Sequence, residues 1–144
     1  MAVLAYQFPM STMLENARKM IAGELPPAPM GTLIGLRLVA IEPGRARFEL
    51  DADHRHHNPM GTLHGGVYCD LADAAMGYAY AATLGEGESF TTVELKINFL
   101  RAVRQGKLTA EARVVKAGSA LAGKLVARAS STCMKLRQDH PPTA

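Results

Sequence analysis

The sequence predicts an α+β domain in which an antiparallel sheet wraps around one long buried helix. Three observations carry this. Residues 63 to 84 contain no proline and are apolar nearly all round, with Leu63, Val67, Leu71, Ala74, Ala75, Tyr78, Ala79 and Ala82. A helix of that kind is buried on several sides. Two strand-like segments precede it and three come after it, most of them alternating apolar with polar residues. No repeat or linker divides the 144 residues, a length suited to a single domain with a core at about residues 30 to 136.

Taken in order, residues 11 to 22 read as a short N-terminal helix. Ser11 or Thr12 caps it, and Glu15 stands three residues after Thr12, as in a capping box. Met13, Ala17, Met20 and Ile21 form its apolar face. Pro26, Pro27 and Pro29 end it and impose an extended linker. Residues 33 to 41 are apolar enough for a strand, and Glu42-Pro43-Gly44-Arg45 is a turn signal. Ala46, Phe48 and Leu50 then alternate with Arg45, Arg47 and Glu49, which completes a hairpin. Residues 51 to 62 are a polar loop. The long helix comes next, and Gly85-Glu86-Gly87 stops it.

Beyond it, Val93, Leu95, Ile97 and Phe99 alternate with Thr92, Glu94, Lys96 and Asn98. Leu108, Ala110, Ala112 and Val114 alternate with Lys107, Thr109, Glu111 and Arg113, and residues 125 to 136 form a weaker third strand. The links at Gln105-Gly106 and residues 117 to 123 suit hairpins. The tail, residues 138 to 144, is expected to fray. So small a sheet has open edges, and pairing them between copies would close them, so a homo-oligomer is expected.

Composition narrows the function. Hydrophobic residues make up 48% and charged residues 20%, enough for a core that needs no covalent staple. The net charge is +3 and the sequence pI about 9.0, but the basic residues are scattered from Arg18 and Lys19 to Lys135 and Arg137. Nucleic-acid binding gathers charge on one element, so that class is set aside; a small polyanionic ligand suits the modest excess. Tryptophan is absent. Cys69 and Cys133 have no metal-ligand spacing and make no disulfide scaffold, which points to a reducing compartment. No signal-like start is visible, and no segment nears the ~18 apolar residues of a membrane span. A cytoplasmic protein with no membrane partner is expected.

The chemistry concentrates in Asn58-Pro59-Met60-Gly61-Thr62-Leu63-His64-Gly65-Gly66 and in Asp73. A helix start with bare N–H groups can hold a developing negative charge, and a carboxylate near it can act as base or nucleophile. Structural readings stand beside each functional one. The glycines suit close helix–sheet packing, His64 suits a helix cap, and Asn58 suits a turn. The acid is harder to explain structurally. A mid-helix Asp costs ~0.7 kcal/mol in propensity, and this helix has little polar face. Gly66, Asp70, Asp73, Gly77 and Tyr80 fall along one stripe, whose small residues leave room for a substrate or partner chain. Partial burial raises a carboxyl pKa, which favours proton transfer near neutrality. Spacing favours neither Asp70 nor Asp73. Eight residues, ~12 Å of rise, separate Gly65 from Asp73, too far for one chain to grip a single small group with both.

Other clusters carry less. Asp51, Asp53, His54, His56 and His57 match no metal-ligand spacing and read as a polar mouth. Cys69 lies within the apolar helix and lacks an activating base. Ser130-Ser131-Thr132 lacks the context of a nucleophile elbow.

The pattern Asn58-x-x-Gly61-x-x-His64-Gly65-Gly66, then Leu71-Ala72-Asp73-Ala74-Ala75, resembles the hotdog-fold acyl-CoA thioesterases, in particular the phenylacetate-degradation group and its 4-hydroxybenzoyl-CoA thioesterase relatives. The likeness runs on through residues 91 to 101. It implies a hotdog: a curved antiparallel sheet of about five strands around one central helix. It also implies homodimers or homotetramers with sites at subunit interfaces, and no cofactor, CoA being part of the substrate.

The resemblance makes Asp73, rather than Asp70, the catalytic acid, serving the site of the opposite subunit. It makes the Gly65 N–H the carbonyl donor, Asn58 a holder of the carbonyl or a water, and His64 a group that orients the loop or lies near the thioester sulfur. Thr92, or its neighbour Thr91, would position water. Gly66 would lie against substrate, and Arg101, Arg104 and Lys116 are candidates for the CoA phosphates. A hotdog dehydratase or hydratase and a non-catalytic acyl-CoA-binding module are the rival readings. The first lacks its usual His followed by a Pro-Gly helix start; the second leaves Asp73, Asn58 and the glycines without a task.

Overall fold

The computed structural model describes residues 12–114 together with the backbone of residues 127–137. Ser11, Lys116, the link at 117–123, the tail from 138 and the side chains of Cys133 and Ser130 to Thr132 lie outside those residues.

Helix α1 spans Met13–Ile21 and has the expected capping box. Thr12 Oγ1 accepts from the Glu15 N–H, and Glu15 Oε2 accepts from the Thr12 N–H, at 3.2 and 3.0 Å. The segment after it differs from the sequence expectation. In place of an extended linker running into a strand, a short helix α2 covers Pro29–Ile34. Pro29 stands in its first turn, where a missing N–H costs nothing and a fixed φ helps. Gly35, at φ 85°, ends the helix in the left-handed region that glycine enters without strain. The strand therefore begins later than residue 33.

Strands β1 (Arg37–Glu42) and β2 (Arg45–Ala52) form the expected hairpin, with Glu42 opposite Arg45. Strand β4 (Gly106–Arg113) pairs with the far side of β2, Phe48 opposite Ala110. One face of this three-stranded sheet buries Ala46, Phe48, Leu50, Leu108, Ala110 and Ala112. Its other face carries exposed ion pairs such as Arg37–Asp51 at 2.8 Å, worth little individually.

Helix α3 (Gly65–Ala81) lies on the apolar face and buries Tyr68, Leu71, Ala72, Ala75 and Ala79. The alanines let its axis come close to the sheet. It stops four residues before Gly85, earlier than the glycines predict. The N–H of Ala82 reaches Tyr78 O, and Thr83 Oγ1 donates to Tyr80 O at 2.7 Å, so the last carbonyls are satisfied without glycine.

Strands β3 (Glu88–Phe99) and β5 (Ala127–Arg137) form a second antiparallel ladder. The expected β3–β4 hairpin at Gln105-Gly106 is not formed: β3 pairs with β5, and β4 pairs with β2. Residues 100–105 carry the chain from one ladder to the other. Strict alternation along β3 also fails. Phe90 and Thr92 are half-buried, and so are Leu95 and Ile97, while Val93 is 61% exposed. The register shifts between Thr92 and Glu94. A bulge adds one residue to a strand and reverses which side chains face inward, so even-numbered residues face α3 before it and odd-numbered ones after it. Among the described residues, no helix is long and apolar enough to cross a membrane.

Candidate active site

The bulge aims Thr92 at the acid. Thr92 Oγ1 donates to Asp73 Oδ1 at 2.9 Å in a half-buried position, while Thr91 is exposed and faces away. Asp73 is thus tied to the sheet by the threonine two strand positions after Phe90. Phe90 itself packs on the same helix one turn further on, where a Cβ at Gly77 would meet its Cζ at 3.1 Å. The glycine in the stripe is explained by that close approach.

Asp73 borders a cavity of about 440 Å³ between α1, the segment around α2, β1 and α3. Its walls are mostly apolar, with Met20, Met30, Leu36, Leu38, Phe48 and Tyr78 prominent. The Tyr78 ring stacks edge-on against Phe48, centroids 5.1 Å apart, and its hydroxyl donates to Met20 Sδ at 3.6 Å. Asp70 reaches the same cavity. Burial raises the Asp70 carboxyl above its ordinary value; the negative charge of Asp73 adds to this and His64 opposes it. Cys69 is shifted up as well, first by burial and then by Asp70 and Asp73, so its thiol stays protonated.

The other end of the helix is built differently. His64 is the N-cap of α3, with extended backbone, and its Nδ1 accepts from the Gly66 N–H at 2.9 Å. An accepting nitrogen carries no proton, so in this geometry any ring proton sits on Nε2. The Gly66 N–H is therefore consumed by the cap. The Gly65 N–H, in the first turn, has no hydrogen-bond partner among the described residues. A Cβ on Gly66 would stand 2.9 Å from His64 Nδ1, and one on Gly65 would stand 3.2 Å from Phe99 Cζ. Phe99, in turn, rests on Tyr68 with centroids 5.6 Å apart.

Asn58 locks the approach to this helix. Its Oδ1 accepts from the Met60 and Thr62 N–H groups at 3.0 and 3.2 Å, and its Nδ2 donates to Thr62 Oγ1 at 2.9 Å. The Asn58 N–H donates to Thr62 O at 2.8 Å, and the Gly61 N–H returns to Asn58 O at 3.0 Å. Among the described residues one Nδ2 hydrogen has no partner and remains for a ligand. Leu63 N–H to Val103 O (2.7 Å) and His64 N–H to His56 O (2.9 Å) hold the loop to its neighbours. Thr62 is a residue that motif reading missed; its signal is the i, i+4 spacing from Asn58 across Pro59 and Gly61.

The His-rich mouth is structural in this geometry. His56 is buried; its Nδ1 accepts from the Asp53 N–H and its Nε2 donates to Ile34 O at 2.9 Å, which pins α2. His57 Nε2 bonds the Arg104 carbonyl. Asp53 is held far below the usual carboxylate range by the Arg55 guanidinium and its backbone N–H. Among the described residues, no group of His, Cys, Asp and Glu is arranged to hold a metal ion. Arg101 and Arg104 are exposed, and neither has a salt bridge among the described residues.

The cavity bordered by Asp70 and Asp73 is lined by neither Asn58, His64 nor Gly65. His64 lines a separate cavity of about 360 Å³ with Thr32, His56 and His57.

A carboxylate held by a threonine beside an apolar cavity, and a helix start whose Gly65 N–H has no partner among the described residues, suit acyl-transfer chemistry. The comparisons agree. The family model described as the Thioesterase superfamily matches residues 60–122. A protein of Archaeoglobus fulgidus classed with the esterases is 31% identical over 123 residues, 78% of each chain. The 1,4-dihydroxy-2-naphthoyl-CoA hydrolase of Listeria monocytogenes is 33% identical over 85 residues, covering 59% of this chain and 69% of that one. A phenylacetic acid degradation-related protein of Ralstonia eutropha superposes with a TM-score of 0.71 at 29% identity, over 82% of this chain and 98% of the other. The chain belongs to the thioesterase superfamily and has its hotdog fold.

Proposed function

We propose that this chain hydrolyses the thioester of an acyl- or aryl-acyl-CoA to the free acid and CoA, with Asp73 as the catalytic carboxylate. The observation that carries the assignment is the Thr92–Asp73 hydrogen bond at the edge of an apolar cavity large enough for an acyl group. The hydrolase named for 1,4-dihydroxy-2-naphthoyl-CoA is a relative with an activity of this type.

In this reading, the Thr92 hydroxyl spends its proton on Asp73 Oδ1. Its lone pairs then accept from a water whose second hydrogen bonds Asp73 Oδ2. That water presents a lone pair to the thioester carbon. Asp73 takes the proton as the C–O bond forms, and the C–S bond breaks with the proton passing to the thiolate. The Gly65 N–H at the helix start faces the oxyanion, a contact typically worth ~3 kcal/mol in the transition state. Asn58, with one free Nδ2 hydrogen, holds the carbonyl or the water, and His64 fixes the helix start. Gly66 lies beside the acyl carbonyl. Arg101, Arg104 and Lys116 meet the CoA phosphates, with Thr91, on the exposed side of the strand opposite Thr92, limited to the outer part of the substrate. The chemistry is redox-neutral, and CoA enters only as part of the substrate.

His64 at the helix start and Asp73 line different cavities of one chain, and this supports a site completed by a second copy, in a homodimer or a homotetramer of paired dimers. A thiol-release assay over a panel of acyl-CoAs tests the assignment. The wild-type protein releases CoA, and Asp73→Ala and Asp73→Asn lose nearly all of that activity while remaining folded. Full activity in a folded Asp73→Asn would sink the mechanism.

A further inference from the structure

The cavity beside Asp73 is apolar, but three charged side chains reach it: Arg37, Asp70 and Asp73. Arg37 is already engaged. Its guanidinium lies 2.8 Å from Asp51 and 3.5 Å from Glu49 on the outer face of the sheet. Asp73 is held by Thr92. Asp70 has neither a hydrogen bond nor an ion pair among the described residues. It stands one helical turn before Asp73, at i and i+3 on one face, and it is half-buried.

A carboxyl in that position supplies no cap, since α3 begins five residues earlier, and joins no network. Its burial and the neighbouring Asp73 charge both act against its ionised form. Among the described residues no side chain pairs with the Asp70 carboxylate; it adds to the cavity a negative potential that Arg37, engaged by Asp51 and Glu49, and His64 offset only in part.

We propose that Asp70 sets the charge selectivity of the acyl cavity, admitting uncharged acyl groups and turning away acyl groups that end in a carboxylate. The inference rests on the thioesterase reading and on this cavity being where the acyl group lies. A second carboxylate entering the cavity meets Asp70 and Asp73 together, in surroundings that screen poorly. Repulsion of this kind discriminates through the wrong substrate rather than through added contacts to the right one. A hydroxyl or amide N–H on an acyl group is accepted by the same carboxylate, so polarity alone does not exclude a substrate.

The test uses a matched pair with six-carbon acyl chains. Hexanoyl-CoA ends in a methyl group, and adipoyl-CoA ends in a carboxylate. The ratio of their kcat/KM values is measured at neutral pH for wild type, Asp70→Asn, Asp70→Ser and Asp70→Glu. The wild type prefers hexanoyl-CoA. Asp70→Asn and Asp70→Ser lower the ratio about tenfold or more, the scale of two like charges a few ångströms apart at a partly screened site, and Asp70→Glu keeps it. The ratio cancels any common effect of the substitution on turnover.

An unchanged ratio in folded Asp70→Asn and Asp70→Ser overturns the proposal, as does a wild type that cleaves adipoyl-CoA as well as hexanoyl-CoA. If the wild type cleaves neither of these nor any other acyl-CoA of the panel, the thioesterase reading fails by itself. Calorimetric binding of S-hexyl-CoA and S-(5-carboxypentyl)-CoA then decides the selectivity. Preference for the hexyl thioether, lost in Asp70→Asn, upholds it, and equal affinity overturns it.

Discussion

Thr92 on β3 and Asp73 on α3 are joined by a single 2.9 Å hydrogen bond from Oγ1 to Oδ1, across the interface between strand and helix. That contact fixes the rotamer of the acid and leaves its second oxygen free. A charge-assisted bond of this kind contributes roughly 1.5–3 kcal/mol. Thr92→Val is expected to lower kcat by about 10- to 100-fold, with KM nearly unchanged, while Thr92→Ser retains most of the rate. Steady-state kinetics on the three proteins check this. A Val variant with wild-type kcat would show that the hydroxyl has no part in the step.

The cap at the start of α3 makes a second prediction. Gly66→Ala places a Cβ 2.9 Å from His64 Nδ1, so the ring has to leave the position from which it accepts the Gly66 N–H. Losing an N-cap costs about 1 kcal/mol, and the melting temperature should fall by roughly 3–5 °C. Activity should drop as well, because the same ring orders the segment that carries the Gly65 N–H. Thermal denaturation followed by circular dichroism, paired with the thiol-release assay, measures both.

Gly77→Ala is expected to destabilise through packing. The new methyl meets Phe90 Cζ at 3.1 Å, and Phe90 is itself braced by Tyr80 at a centroid separation of 5.7 Å. Overpacking of about 1–3 kcal/mol then outweighs the gain of about 1 kcal/mol that alanine brings to a helix interior. Urea denaturation should show a lower midpoint at unchanged slope. A more stable variant would mean that β3 yields freely.

The raised Asp70 carboxyl gives a pH dependence of definite sign. A carboxyl held above its unfolded value of 3.8 binds its proton more tightly in the folded state. Its unfavourable contribution is therefore absent below that value and grows as pH rises towards the folded value. Asp70→Asn removes it. The variant should melt higher than the wild type at pH 7, with the difference shrinking as pH falls through 4. A constant difference across that range would place its origin in packing.

A shared site predicts complementation between inactive chains. Asp73→Asn disables the acid and Asn58→Ala the opposite half-site. Co-expressed, the two give mixed dimers in which one site carries both defects and the other none. Random pairing then returns roughly a quarter of wild-type activity, whereas separately purified variants show almost none. No recovery on co-expression would place both residues in one chain's site.

Much of the fold was legible in the chain. The Thr12–Glu15 capping box, the β1–β2 hairpin and the buried central helix arise from local chemistry: side chains that satisfy N–H groups, a turn of fixed conformation and an apolar surface with nowhere else to go. Strand pairing was less legible. Gly106 resembles the turn of a hairpin, but whether β4 pairs with β3 or with β2 depends on partners far away in sequence. The α2 helix was hidden because Pro29 reads equally well as a breaker and as a first-turn residue, and only the conformation of residues 30 to 35 distinguishes the two. In the site, the motif pointed to Asp73 and Gly65 and put Thr92 first, with Thr91 left open as the alternative. Choosing between them required the backbone irregularity at residue 93, which no side-chain pattern announces.

That irregularity makes the contact depend on counting as well as on chemistry. Deleting Val93 would leave every functional group in the chain present while restoring strict alternation along β3. Residues 95 to 99 could then keep their seats only if Thr92 turned outward, and Thr92 could keep its own only if Leu95, Ile97 and Phe99 did. Either outcome parts the acid from its partner or strips the helix of its apolar cover. Loss of function in this strand can therefore arise from a change of length alone, and a comparison that scores only residue identities would pass over it.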